Sequence, residues 1–177
     1  MLKELQKLFG KKGLMEQALE SCLFMLKSDW VMFREAVRSL RILVSIVIDI
    51  ERIGDYTKNI VELAQNHPGR LSGGKWEDVL KHAESTISEN FGRLIEALEK
   101  SESENAKQLL KELWKVKKSC DEKVFQLIRD DTLDFKTKDA VALALYMRYL
   151  KRVASHLMNI ATSLVNPFHK IGYRPVE

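Results

Sequence analysis

Four long runs of apolar residues, each spaced at three and four, confine this chain to one kind of architecture. Ile42, Ile46, Ile50, Ile53, Ile60 and Ala64 make the first, and Val79, Ala83, Ile87, Phe91, Leu94 and Leu98 the second. Leu109, Leu113, Val116, Cys120, Val124 and Leu127 make the third. Val141, Leu145, Leu150, Val153, Leu157, Ile160 and Leu164 make the fourth. That spacing stacks each set on one face of an α-helix, because about 3.6 residues complete a turn. No stretch alternates as a strand would. Three prolines and eight glycines in 177 residues leave room for long helices. The expectation is an all-α fold, an elongated antiparallel helix bundle, with helices near 14–27, 29–66, 75–100, 102–130 and 136–165.

Breaks in the pattern set the organisation. Asn66-His67-Pro68-Gly69-Arg70-Leu71-Ser72-Gly73-Gly74 cannot continue a helix. It divides an N-terminal half, 1–66, from a C-terminal half, 75–166, with 67–74 as linker and 167–177 as tail. Ser101 and Glu104 have capping-box spacing, so a helix is expected to begin there. The C-terminal half holds three helices, whereas the first half has only one before its last, so it reads as abbreviated. A missing helix leaves an apolar stripe bare, and such stripes are commonly covered by a partner. A homodimer is therefore expected, with the N-terminal arm at 2–9 as the other candidate cover.

Composition narrows the function. The formal charge of +4 is too mild for a nucleic-acid-binding domain, and no helix-turn-helix spacing is present. The apolar run from Ile42 to Ile48 ends at Asp49, well short of the roughly 20 residues that cross a bilayer. The N-terminus lacks the pattern of a signal peptide. Cys22 and Cys120 are not in a ligand-spaced pair and read as buried or half-buried thiols of a cytoplasmic protein.

A repeat supplies the candidate site. Glu51-Arg52-Ile53-Gly54-Asp55-Tyr56-Thr57-Lys58-Asn59-Ile60 returns 100 positions later as Lys151-Arg152-Val153-Ala154-Ser155-His156-Leu157-Met158-Asn159-Ile160. Arg, Asn and Ile are kept, but Glu51 answers to Lys151 and Asp55 to Ser155. Residues four apart share a helix face, so Glu51, Asp55 and Asn59 form one ridge of oxygen-bearing side chains. Two carboxylates at this spacing can chelate one cation or remain a solvated face beside Arg52 and Lys58.

The string from Ile48 to Ala64, IDIERIGDYTKNIVELA, resembles the acidic signature of the PhoU family, and Tyr149 to Val165 resembles that of the family's other half. The resemblance covers roughly 14–66 in shortened form and 75–166 at full length. It implies a duplicated three-helix fold and a cytoplasmic regulator of phosphate uptake. The implied partners are a phosphate ABC transporter and its sensor kinase. It also implies metal on the acidic motifs, and the ligand role carries over to Glu51 and Asp55, with Asp49 as an addition. The ion would be iron, zinc or another divalent metal; the departures at Lys151 and Ser155 leave one site per chain or none. Asp121 and Glu122 fall near a motif face but are not expected to be ligands. Two further readings stand beside this one: a metal-storage or metal-sensing bundle, and a structural or oligomerisation module.

Other features have plainer readings. Lys107, Lys111, Lys115 and Lys118 form a ridge that suits a solvated face or an anionic surface. The arm with Leu2, Leu5, Leu8 and Phe9 among lysines suits a bundle cap or peripheral membrane association. His67, His82, His156 and His169 lack metal-ligand spacing, and His156, aligned with Tyr56, reads as a surface or inter-helix polar residue. Trp30, Trp76 and Trp114 read as packing aromatics. No phosphate loop or nucleophile motif occurs, so catalysis is not expected.

Overall fold

A computed structural model of the chain describes residues 14–100, 102–130 and 132–165. They form α1 (Leu14–Asn66), a 3-10 turn (Gly74–Trp76), α2 (Glu77–Lys100), α3 (Ser103–Arg129) and α4 (Thr137–Val165). Helix is the regular structure throughout the described residues, as an all-α bundle requires. The break expected at residue 28 does not occur: α1 runs through Ser28 and Asp29. With no Gly or Pro there, the polar pair costs a helix only a few tenths of a kcal/mol. Ser101, the N-terminal arm and the 167–177 tail lie outside the described residues.

By packing, the chain divides at Arg41/Ile42, within α1. In the first unit the described residues are the 14–41 stretch of α1, which holds large apolar side chains exposed to solvent: Phe24 72%, Phe33 68%, Leu26 66%. Trp30, expected to pack, is 60% exposed. Cys22 is exposed as well, against expectation, whereas Cys120 is buried.

The second unit holds the core. Adjacent helices α2, α3 and α4 are joined by short connections and enclose Leu109, Leu113, Leu143, Met147 and Leu157. The second and third apolar stripes lie where their spacing puts them. The fourth is shifted at its start, for Val141 and Leu145 are exposed while Ala142, Leu143 and Met147 are buried. The buried series 143, 147, 150, 154, 157 and 161 keeps helical spacing with two small members, Ala154 and Ala161. From the 42–66 stretch of α1, Ile46, Ile53 and Ile60 reach this core, but Ile50 faces out at 55% exposure.

Polar details hold the layers in register. Asn90 is fully buried on α2; its Nδ2 donates to Glu112 Oε2 at 3.1 Å and to Thr86 O at 2.8 Å. Arg93 joins Glu112 at 2.6 Å. Burial pushes the Glu112 carboxyl upward, but hydrogen bonds from Asn90 and Gln108 and the charge of Arg93 outweigh it and hold it below its ordinary value. At the start of α2, the Gly73 N–H donates to Glu77 Oε2 at 2.9 Å. Gly74 takes φ +52, a left-handed conformation suited to glycine. No helix among the described residues is long and apolar enough to cross a membrane.

Candidate functional site

Both copies of the repeat are helical, one in α1 and the other in α4. The 100° step per residue sorts the first copy into two faces. Ile53 is buried, and Asp49 and Tyr56 are half-buried, on the face toward α4. Glu51 and Asp55 are exposed on the other side. Arg52 Nη1 lies 3.4 Å from Asp55 Oδ2, and Lys58 Nζ lies 3.2 Å from Glu62 Oε1. All four of those side chains are more than half exposed, where single ion pairs hold weakly.

Asp49 is therefore set apart from the two carboxylates with which it was grouped. Its Oδ1 lies 2.7 Å from His156 Nδ1 and accepts a hydrogen bond from Asn159 Nδ2 at 3.0 Å. Both partners belong to the second copy of the repeat. His156 is thus an inter-helix polar residue, 17% exposed against 13% for Asp49.

The second copy is closed by its own neighbours. Lys151 Nζ sits 2.6 Å and 2.7 Å from the two carboxylate oxygens of Asp121 on α3, and Arg148 approaches the same group at 3.4 Å. Lys151 is only 15% exposed, so this pair is deeper than a surface ion pair. Ser155 Oγ donates to Lys151 O one turn back. Neither position carries the carboxylate that the first copy has there. Next to the pair, burial and the Asp121 charge push the Cys120 thiol up to about 12, against the opposing influence of Lys151, so it is not a thiolate near neutrality.

A reciprocity in these contacts was not visible in the sequence. Tyr56 and His156, which occupy equivalent positions in the repeat, stack with ring centroids 5.7 Å apart and planes at 22°. Asp49 contacts His156, and Tyr149, the equivalent of Asp49, contacts Tyr56 with centroids 6.2 Å apart. One position meets its own counterpart, and a second pair of positions meets twice in exchanged roles. The pairs 49 with 156 and 56 with 149 share one register, as two helices running in opposite directions produce.

The acidic ridge can act chemically as an open anionic surface. As a metal centre it is incomplete on one chain: first-row transition metals take four or more ligands, and Glu51 and Asp55 supply two. No group of three or more His, Cys, Asp and Glu suited to a metal occurs among the described residues. Among the described residues, the donors of one chain thus do not by themselves make a full ligand set for the ion that the resemblance implies.

A cavity of about 390 Å³ lies elsewhere in the second unit, lined by His67, Arg70, Leu80, Glu84 and Tyr146 among others. Its polar groups are spoken for: His67 Nε2 is 3.1 Å from Asp139, Tyr146 donates to Glu84 at 2.7 Å, and Arg70 donates to Glu77 at 2.9 Å. The lysine ridge is exposed at 107, 111, 115 and 118, with Lys118 over the Trp114 ring. No family model, no curated protein and no solved structure matches the chain.

Proposed function

We propose that this chain is a PhoU-like regulator of phosphate uptake, working without catalysis by contact with a phosphate transporter or its sensor kinase. The observation that carries the reading is the stacking of Tyr56 on His156, with the reciprocal contacts around it. It is what an internally duplicated bundle would produce, and duplication is the architectural core of the resemblance. The division of labour within the first motif supports it further. Asp49 is spent on joining the two copies, while Glu51 and Asp55 are left facing outward, with Arg52 and Lys58 too exposed to neutralise them.

On this reading the partner presents basic groups to Glu51 and Asp55 at the cytoplasmic face of the membrane, and the interface is steered by charge. The test is titration calorimetry with purified cytoplasmic subunits of a phosphate transporter and of its sensor kinase. Binding to one of them, weakened about tenfold or more in Glu51→Ala/Asp55→Ala, is the expected result. No binding to either, by protein of native helix content, would remove the regulator reading.

A further inference from the structure

From the 14–41 stretch of α1 we infer that a second copy of this chain packs antiparallel along it, two-fold about a point near Trp30–Phe33. The inference is independent of the phosphate reading. Leu23, Phe24, Met25 and Leu26 are 46–72% exposed, Trp30 to Phe33 are 53–68% exposed, and Leu40 is 62% exposed. A helix with apolar residues so far around its circumference is a buried helix that lacks its cover. At roughly 100 Å² or more of free surface each, these nine side chains offer on the order of 900 Å². They stand on more than one face, so one antiparallel neighbour covers part of them, and the whole exceeds the patches monomers commonly carry.

Charge selects the occupant and its direction. Residues 16–29 carry Glu16, Glu20 and Asp29 against Lys27, three acids to one base. Residues 34–41 carry Arg34, Arg38 and Arg41 against Glu35, three bases to one acid. The stretch is thus complementary to itself when reversed. An antiparallel copy lays each acidic end along a basic one and brings Lys27 toward Glu35 of the other chain. A parallel copy would set acids on acids and bases on bases. A lipid surface would meet an acidic end as well as a basic one.

Light scattering on the full chain, combined with spin labelling at the native Cys22, tests this. Cys22 is exposed, and the buried Cys120 thiol stays unlabelled. The expected mass is twice the 20.5 kDa of the chain at micromolar concentration. With the two-fold near residue 31, the two Cys22 positions stand about 27 Å apart along the axis. Phe33→Glu with Trp30→Glu should raise the dimer dissociation constant at least about 100-fold. Reversing Arg38 and Arg41 to Glu should weaken it, and adding Glu16→Arg and Glu20→Arg should restore it. A monomeric wild type at 100 micromolar (about a hundred times the working range for a stable dimer) would overturn the proposal, whether residues 1–13 or added liposomes prove to cover the face. A Cys22 separation near 10 Å, the spacing of parallel neighbours, would overturn the orientation.

Discussion

Tyr56 stacks on His156 at 5.7 Å, and the two residues hold the same place in a motif that recurs 100 positions apart. Substituting at one of the two positions therefore disturbs both copies. His156→Ala removes the ring against Tyr56 and leaves the half-buried Asp49 with Asn159 alone. A loss of about 1–3 kcal/mol in urea unfolding is expected, because a carboxylate that loses a partner keeps its desolvation cost. His156→Gln, which keeps a donor but not a ring, should recover part of the loss.

Lys151 takes the place of an acid in the repeat, and its partner Asp121 explains why the chain tolerates it. Restoring the acid with Lys151→Glu would put two carboxylates together beside buried Cys120. That variant should lose more stability than Lys151→Met, which leaves Asp121 with Arg148. About 1–3 kcal/mol is expected for Lys151→Met, measured by denaturant unfolding. Unchanged stability in Lys151→Glu would show that the pair does not hold α3 to α4.

The Glu112 carboxyl, held below its ordinary value of 4.5 by Asn90, Gln108 and Arg93 against the upward push of burial, makes stability depend on acid. A depressed folded value stabilises fully above the unfolded one and loses that contribution as pH falls through the folded value. Glu112→Gln should melt below wild type at pH 7, and the gap should close as pH falls below about 4.5. Thermal melts across that window check the sign; a gap that widens on acidification would contradict it.

Gly73 has no room for a side chain. A Cβ there would stand 2.7 Å from Leu80 Cδ1 and 2.9 Å from the backbone N and Cα of Glu77. The leucine methyl can move, but the backbone of the first turn of α2 cannot move without loosening the Gly73–Glu77 hydrogen bond. Gly73→Ala should cost about 1–3 kcal/mol by calorimetry. Gly69→Ala, which meets nothing within 4 Å, should cost far less and serves as the control.

Metal analysis separates the ridge from a cofactor site. Protein prepared without chelator is expected to carry no stoichiometric iron or zinc, since Glu51 and Asp55 are two exposed donors on an open helix face. Stoichiometric metal that disappears in Glu51→Ala/Asp55→Ala would contradict this and favour a metal centre.

The helices and most of the core were legible because long 3.6-residue periodicity survives in α2 and α3, where Ala83, Ile87, Leu94, Leu109, Leu113 and Val116 all lie buried. Misreadings arose where apolar residues are abundant on several faces. At the start of α4, Val141 and Leu145 have the right spacing but the wrong phase, because Leu143 and Met147 offer an equally apolar series. In α1 the apolar residues near 23–33 cover so much of the circumference that no single face is specified. The ridge of Glu51 and Asp55 followed from spacing alone. The pairing of Asp49 with His156 did not, since a contact across 107 positions leaves no local trace. The departure at Lys151 is legible in the sequence, but its pairing with Asp121 on another helix, 30 positions away, is not.

The most direct measurement is a double-mutant cycle between Asp49 and Asn159 by equilibrium urea unfolding of Asp49→Ala, Asn159→Ala and the pair. If the two copies of the motif are joined through this hydrogen bond, the coupling energy should be about 0.5–3 kcal/mol, with Glu51→Ala nearly neutral beside it. Additive losses within about 0.3 kcal/mol, or a Glu51→Ala loss as large as that of Asp49→Ala, would contradict an inward-facing Asp49 and an outward-facing acidic ridge.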